Sequence, residues 1–388
     1  MVQSLLSARR CQGHGRSMVS RVASNRVRLL SRPVALCGGV VGAALAMLAP
    51  SVALANPPRP YWHPGPPWAP LAPATPEMHQ ISDLFWGMLA ISALVFLFVT
   101  VFLILSVVRY TAKPGQGGEP KQVFGNRAVE ITWTLIPTFI LLVAFIFTVN
   151  AIRDINSPKQ GKILDIYAIG HQWWWQFDYH SLRVTTADEL HVPLGVPIHF
   201  HVTSADVIHS FWSPQLERQI DANPVNDNAV YVKYDTPGVY SGDCYEYCGT
   251  EHAFMKYRVV VQSTAQFNAW VAHEHRPPVA GTYHAASGTK TSALNTSLVA
   301  AGEKVYTNNT CVSCHTIAGV SGGVVGPNLT HLGSRWTIGA GAAPMSEQVL
   351  EQWIHNPATY KPGIIMPAYT FLSKKDLHAL ATYLISLK

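Results

Sequence analysis

Two long apolar runs are the strongest pattern along the chain. They extend from Leu84 to Val108 and from Ile131 to Val149. A helix of about 20 apolar residues is long enough to cross the hydrocarbon core of a bilayer, so both runs are predicted to be transmembrane helices. Together they predict a hairpin over residues 81–150, with a kink at Pro137.

The link between the two runs is basic. It contains only one acidic residue, Glu119, against four basic ones, which are Arg109, Lys113, Lys121 and Arg127. Basic loops stay on the cytoplasmic side of a membrane. Both outer ends of the hairpin are therefore predicted to face the opposite side.

A different apolar run lies near the N-terminus. Residues 1–32 are basic, Val34 to Leu48 is apolar, and Ala53–Leu54–Ala55 has the small residues of a cleavage site. This order predicts a signal peptide over residues 1–55. The alternative is a retained first membrane span, although the run is short for one. Residues 56–80 are rich in proline and are predicted to be an extended spacer.

The period of apolar positions changes to that of strands after the hairpin. Short β-type runs between proline, glycine and aspartate turns predict an all-β sandwich or barrel over residues 160–262. The runs are Ile163–Ile169, Pro197–Thr203, Val230–Tyr234 and Lys256–Val261. Residues 263–296 are predicted to be a short helix, Ala265–His273, followed by a flexible linker.

The last segment, residues 297–388, is predicted to be helical. The predicted helices are Ser297–Thr307, Ser346–His355 with Ser346 as the N-cap, and Ser373–Leu387 with apolar residues along one face.

Composition agrees with a membrane protein that has soluble parts. Charged residues make up 13% of the 388 residues, against about 25% in soluble domains. The net charge of +6 comes largely from arginines in residues 1–32, and no stripe of basic residues is present. A nucleic-acid partner is therefore not expected.

A dense set of soft metal ligands lies at the end of the β region. Cys244, Cys248, His252 and Met255 fall within twelve residues, and His209 ends a predicted strand upstream. Thiolate, thioether and imidazole ligands favour copper, and two nearby thiolates can bridge a pair of ions. The pattern predicts a two-copper electron-transfer centre. A plain disulfide between the two cysteines is the alternative, since the exported side of a membrane is oxidising.

A second redox motif lies in the helical segment. Cys311, Cys314 and His315 have the C-x-x-C-H spacing of a covalent c-type haem, with the histidine as an iron ligand. The other two cysteines, Cys11 and Cys37, would leave with the signal peptide.

The combination resembles subunit II of cytochrome c oxidase, in the bacterial caa-type that carries a fused C-terminal cytochrome c domain. Besides the C-x-x-x-C-x-x-x-H-x-x-M motif, three stretches carry the resemblance: Glu130 to Pro137, Gly170 to Gln176, and Asp206 to Trp212. The resemblance implies a multi-domain membrane protein. Its parts would be a two-helix transmembrane hairpin, an all-β cupredoxin-like copper domain and an all-α cytochrome c domain.

The resemblance also implies roles for individual residues. The ligands of the copper pair would be His209, Cys244, Cys248, His252, Met255 and the backbone carbonyl of Glu246. The Glu246 side chain would also contact a magnesium ion at the interface with subunit I.

Two further residues match functional positions of the family. Trp173 would be the aromatic residue at which electrons enter, although packing would also explain it; Trp174 stands where the family usually has tyrosine. Glu130 would lie at the mouth of a proton path into subunit I, or it is simply a carboxylate favoured by the helix dipole.

In the haem segment, Met366 in its Met–Pro sequence resembles the distal-methionine loop of cytochrome c, and Met345 is the competing candidate. Arg335 and Trp336 would contact a haem propionate or lie at the surface. The remaining histidines, His199 and His201 among them, are expected to be strand or surface residues without a metal.

The resemblance implies that the chain accepts electrons through its haem and its copper pair and passes them to subunit I. Subunit I would reduce oxygen to water and couple this to proton pumping. Expected partners are subunits I and III, a cytochrome donor and the lipid membrane. The location would be the bacterial inner membrane, with the soluble domains on the periplasmic face.

Three other classes fit less well. A quinol oxidase subunit lacks the copper ligands, and a copper-delivery protein lacks the C-x-x-C-H motif. A nitrous oxide reductase has a large multi-histidine catalytic domain and no such membrane hairpin.

Overall fold

The computed structural model describes residues 72–111, 115, 117–118, 122–278 and 296–388. The predicted signal peptide, most of the predicted spacer and most of the predicted linker lie outside the described residues.

Two long helices form the hairpin, and both are long and apolar enough to cross a membrane. Helix α1 is Pro76–Tyr110 and helix α2 is Arg127–Asn156. The last five residues of the predicted spacer therefore belong to α1. A proline in the first turn does not interrupt a helix, because its missing N–H would have no partner there. The side chain of Thr75 caps α1 by accepting from the Met78 N–H.

The outer ends of both helices meet the β domain. The Ala74 N–H donates to the Gln215 carbonyl at 2.8 Å, and the Thr75 hydroxyl donates to the Leu216 carbonyl at 2.7 Å. Lys159, just after α2, pairs at 2.9 Å with Glu77 near the start of α1. The hairpin and the β domain are thus joined through both helices.

The β domain consists of two five-stranded sheets, with strand orders β3-β2-β1-β5-β8 and β4-β10-β9-β6-β7. Its strands are β1 Leu164–His171, β2 Trp174–Tyr179, β3 Val184–Ala187, β4 Glu189–Pro193, β5 Pro197–Ser204, β6 His209–Trp212, β7 Ile220–Ala222, β8 Asn228–Lys233, β9 Gly238–Cys244 and β10 Lys256–Gln262. The inward residues of both sheets form one buried core that includes Trp175, Phe177, Phe200, Phe211 and Tyr257. The four predicted runs coincide with β1, β5, β8 and β10, and buried and outward residues alternate along β1, β5 and β8.

Helix α3, Thr264–Glu274, follows the last strand of the β domain. A capping box formed by Ser263 and Gln266 stabilises its N-terminus. The C-terminal domain has helices α4 Thr296–Thr307, α5 Cys311–Cys314, α6 Glu347–His355 and α7 Lys374–Ser386. Four two-residue strands lie between α5 and α6: β11 Thr316–Ile317, β12 Ser321–Gly322, β13 Thr337–Ile338 and β14 Ala343–Pro344. The side chain of Ser346 caps α6, as the sequence predicts.

Candidate copper and haem centres

Five side chains with soft or nitrogen donors converge at one end of the β domain. His209 begins β6, so the prediction that it ends a strand is wrong. Cys244 ends β9, and Met255 immediately precedes β10. Cys248 and His252 come from the loop between β9 and β10. All of the predicted copper-binding side chains therefore lie at one place, and four of them are 5% exposed or less, which are His209, Cys244, Cys248 and Met255.

The spacing of the donor atoms suits shared metal ions. The two cysteine sulfurs are 3.8 Å apart, and the Cys244 sulfur lies 3.8 Å from His209 Nδ1. The Cys248 sulfur lies 3.6 Å from His252 Nδ1 and 3.9 Å from Met255 Sδ. Metal–sulfur bonds of about 2.3 Å at tetrahedral angles separate two ligands by about 3.8 Å. Both cysteines are free thiols, so the disulfide alternative is not what the structure shows.

A carboxylate outside the ligand set orients His209. Asp206 Oδ1 accepts a hydrogen bond from His209 Nε2 at 2.8 Å, which leaves Nδ1 with a lone pair facing Cys244. Such a partner fixes the tautomer of a metal-binding histidine. The other oxygen of Asp206 accepts from the Gln172 N–H at 2.6 Å. The sequence analysis did not single out this role, although Asp206 lies only three residues before the ligand.

The two thiols titrate as a pair. The hydrogen bond from Cys248, helped by His209, lowers the pKa of Cys244 to about 4, and the same bond raises the pKa of Cys248. Burial lowers the pKa of His209, but its hydrogen bonds to Asp206 and Cys244 outweigh burial and raise it. Cys244 is thus the cysteine that loses its proton more readily, and the thiolate is the form that binds metal.

The backbone carbonyl of Glu246 and its side chain lie in different surroundings. Its backbone carbonyl lies 3.2 Å from the Cys244 sulfur, within reach of an ion held there, while its side chain is exposed. A carbonyl ligand therefore fits the geometry.

A mostly apolar cavity in the C-terminal domain holds the second motif. Cys311, Cys314, His315 and Met366 all line it. His315 Nδ1 lies 2.8 Å from the Pro327 carbonyl, and this bond leaves Nε2 as the donor for an iron ion. A Cβ atom on Gly326 would lie 2.5 Å from the His315 ring, so only glycine lets the ring pack here. These residues fit a covalent haem, and Met345 is not among the cavity residues.

Trp173 connects the two centres. Its ring lines the haem cavity, and its indole Nε1–H donates to the Cys248 carbonyl at 3.0 Å. The Gln172 side chain donates to the same carbonyl at 2.7 Å. Gly249, with φ of +119°, makes room for this arrangement, because a Cβ there would lie 3.0 Å from the Trp173 ring. Trp174 and Trp175 are both buried; Trp174 also lines the haem cavity, whereas Trp175 belongs to the core of the β domain.

A buried lysine of the C-terminal domain, which contains the haem motif, contacts the β domain beside Trp173. Lys361 is 2% exposed, and its Nζ donates to the Trp173 carbonyl at 2.8 Å. The Gly363 N–H donates to Glu251, which lies in the loop between β9 and β10, referred to below as the copper loop. Burial lowers the pKa of Lys361 to about 8, against the opposing effect of the Asp188 and Glu251 carboxylates. The sequence analysis missed this contact because the partners are far apart in the chain.

A second contact lies at the start of β4. Glu189 Oε1 accepts from the Trp336 N–H at 2.7 Å, and the Arg258 guanidinium lies 5.4 Å from the centre of the Trp336 ring. Arg335 donates to the Asn328 carbonyl and its charge faces Glu189. Burial raises the pKa of Glu189 to about 7. Trp336 is 44% exposed. Arg335 and Trp336 both contribute to the contact between the β domain and the C-terminal domain.

Glu130 lies in the first turn of α2, below the cap formed by Asn126. Its side chain is exposed in the isolated chain, and the structure does not bring it near the copper or haem residues.

Comparison with known proteins agrees with this division. The family models described as cytochrome c oxidase subunit II, transmembrane domain, then periplasmic domain, and as cytochrome c match residues 71–150, 181–264 and 299–388. A subunit 2 of cytochrome c oxidase from Alkalihalophilus pseudofirmus is 34% identical over 82% of this chain and 90% of the relative. The subunit 2 from Bacillus sp. strain PS3 is 31% identical over 69% of this chain and 77% of the relative.

Among solved structures, the periplasmic domain of subunit II of cytochrome oxidase from Bradyrhizobium japonicum is 30% identical. It covers 30% of this chain and 96% of that chain, at a TM-score of 0.29, a level that does not establish a shared arrangement.

The hairpin, the β domain and the C-x-x-C-H domain are thus each matched by a family model along this one chain. The chain belongs to the cytochrome c oxidase subunit 2 family, and it is a membrane protein with a fused C-terminal cytochrome c domain.

Proposed function

We propose that this chain is the part of a haem–copper oxidase that receives electrons. An external cytochrome would reduce a haem c held by Cys311, Cys314, His315 and Met366, and a copper pair would pass the electron to subunit I. Oxygen reduction and proton pumping would then take place in subunit I, with subunit III as a further partner. The protein's part is to hold, orient and insulate the two centres.

The position of Trp173 is the observation that carries this proposal. One side chain lines the haem cavity and donates a hydrogen bond to the Cys248 carbonyl in the copper loop. The contact of Lys361 with the Trp173 carbonyl keeps the haem domain at this place. This position supports the electron-entry role that the family resemblance implies for Trp173.

The proposal extends to the ligands, and the distances between the donor atoms support it. Two ions bridged by Cys244 and Cys248 would be completed by His209, His252, Met255 and the Glu246 carbonyl. The exposed Glu246 carboxylate would contact a magnesium ion at subunit I, and Glu130 would face the proton path of the same subunit. The soluble domains would lie on the periplasmic face of the inner membrane, because the basic link between α1 and α2 stays in the cytoplasm.

The proposal is tested in the complete oxidase, made in a host that attaches c-type haem. Copper is counted per covalent c-type haem, which distinguishes the haem of this chain from the haem of subunit I, and the electron paramagnetic resonance spectrum of the oxidised form is recorded. Two coppers per covalent haem beyond the copper of subunit I are expected, together with the hyperfine pattern of one electron shared over two nuclei. One copper or none beyond that of subunit I, beside an intact covalent haem, would overturn the assignment.

The role of Trp173 is tested by Trp173→Phe, which keeps an aromatic ring but removes the N–H that bonds the Cys248 carbonyl. Electron transfer from haem to copper after photoreduction is expected to slow, with the copper content unchanged. Trp270→Phe is the matched control, since Trp270 packs against Tyr179 and His191 and does not line the haem cavity. An equal rate in Trp173→Phe and wild type would remove Trp173 from the path.

A further inference from the structure

A cluster of metal-binding side chains lies on the outer face of the β domain, apart from the copper and haem centres. It consists of Asp165 on β1 and of His199 and His201 on β5, and we refer to it as the surface histidine cluster. The strands are parallel neighbours, and Asp165 lies opposite His199 in their register. Alternation along the strands sends the intervening residues Ile166 and Phe200 into the core.

The distances within the cluster fit a small divalent ion. Asp165 Oδ1 lies 3.0 Å from His199 Nδ1 and 3.4 Å from His201 Nε2. Zinc bonds of about 2.0 Å at tetrahedral angles separate neighbouring ligand atoms by about 3.3 Å. One donor atom from each of the three residues lies within 4.8 Å of the other two, so the three are close enough to form a shared ligand set.

A second carboxylate orients one of the two histidines. Asp227, just before β8, places Oδ2 2.7 Å from His201 Nδ1. A neutral imidazole has only one N–H. When that N–H is on Nδ1 and donates to Asp227, the lone pair of Nε2 faces Asp165. This is the carboxylate–histidine arrangement that orients metal ligands, and it matches the role of Asp206 at the copper centre.

Both histidine rings are also held by stacking. His199 stacks on Tyr231 with ring centres 4.4 Å apart, and His201 stacks on Tyr167 at 4.3 Å. The stacked rings have little freedom to turn away, so the ligand set is formed before an ion arrives. The histidines are mostly covered, with 17% and 19% of their side chains exposed, while the Asp165 side chain is 52% exposed and leaves a path to solvent.

We propose that Asp165, His199 and His201 bind one divalent transition-metal ion, of which zinc is the representative. Two imidazoles and a carboxylate suit zinc, copper(II) or nickel, whereas calcium and magnesium prefer sites made of oxygen alone. Water from the exposed side completes the four ligands. The two carboxylates, Asp165 and Asp227, offset the charge of the ion. The expectation from sequence that these histidines carry no metal is thereby revised.

The ion would link the neighbouring strands β1 and β5 of the first sheet. The same strand β1 ends beside the copper centre, where a Cβ on Gly170 would lie 2.6 Å from the His209 ring. Five residues of strand separate Asp165 from Gly170, which is about 17 Å. The surface histidine cluster is thus too far away to share ligands with the copper pair, and its occupancy can be measured separately.

The test uses the oxidase complex with copper and haem in place, dialysed against a series of buffered free zinc concentrations. His199→Gln and His201→Gln are each expected to lose one bound zinc per chain relative to wild type, with the copper-to-haem ratio unchanged. Asp227→Asn is expected to keep the site but to weaken zinc binding about 10- to 100-fold. His180→Gln is the matched control, because its ring stacks on Tyr167 without belonging to the cluster.

A second measurement needs no variant. Carbethoxylation of histidines in the wild-type complex is followed by mass spectrometry with and without zinc. Zinc is expected to protect His199 and His201 while His180 reacts equally in both. Equal zinc content in wild type and in both glutamine variants would overturn the proposal. Labelling of His199 and His201 that zinc does not change would do the same.

Discussion

Removing the charge of Asp206 should weaken copper binding although Asp206 is not a ligand. In Asp206→Asn the side chain keeps its shape, but only one of its two end atoms still accepts a hydrogen bond. In the wild type, Oδ1 accepts from His209 Nε2 at 2.8 Å and from the Val207 N–H at 2.7 Å, and Oδ2 accepts from the Gln172 N–H at 2.6 Å. At least one of these donors must therefore face the NH₂ group of the asparagine.

The size of the effect follows from these contacts. A hydrogen bond to a charged group contributes about 1.5–3 kcal/mol. The Asp206 side chain is 32% exposed, so solvent reduces the loss, whereas the His209 side chain is fully buried. We expect copper affinity to fall about 30-fold, or about 2 kcal/mol, which lies within the range for such partners of metal ligands.

Copper retention in the complex, titrated against a copper(I) chelator, measures this change. Asp235→Asn is the control, since Asp235 is an exposed turn residue bonded to Thr236. An Asp206→Asn titration that coincides with wild type, in a complex with normal haem content, would refute the argument that this carboxylate fixes His209.

Three further changes test the interface, the haem cavity and the core. Lys361→Met removes the hydrogen bond to the Trp173 carbonyl and the charge that faces Asp188 and Glu251, while Arg335 still faces Asp188. A loss of about 2 kcal/mol would shift the docked-to-undocked ratio about 30-fold. Flash photoreduction should then show slower transfer from haem to copper, and unchanged kinetics would show that Lys361 does not hold the domain. Gly326→Ala puts a methyl group 2.5 Å from the His315 ring, so we expect less covalent haem per chain by absorbance. Burial raises the pKa of Glu217 from 4.5 to about 8, so the folded chain keeps a proton that the unfolded chain releases. Wild-type stability should thus fall as pH rises from about 4.5 through 8, by as much as about 5 kcal/mol. Thermal denaturation of Glu217→Gln over this range should be flatter, and an equal slope would mean that another group is responsible.

The ligand sets were predictable because their chemistry is local in sequence. Cys244, Cys248, His252 and Met255 occupy one loop and its ends, and only His209 had to be brought from another strand. The C-x-x-C-H motif is contiguous as well. Patterns of this kind state both the candidate ligand types and their spacing, and the structure adds the distances between their donor atoms.

What the sequence did not reveal depends on contacts between distant residues. The contact of Lys361 with the Trp173 carbonyl spans 188 positions, and the bond from Trp336 to Glu189 spans 147. An isolated lysine or glutamate has no pattern that distinguishes it from a solvated charge. The surface histidine cluster was missed for a similar reason, because only the parallel pairing of β1 with β5 brings Asp165 beside His199.

The covering of Trp173 has a consequence for how the oxidase chooses its donor. The haem domain lies over one side of the copper loop through Lys361 and Gly363. Under the proposed function, a donor cytochrome binds to the haem domain and not to Trp173. Electrons then pass through the haem and the copper pair in series, and the haem domain is the one point of entry. Recognition of the donor can then change by surface mutations in one domain, while the path inside the protein remains the same.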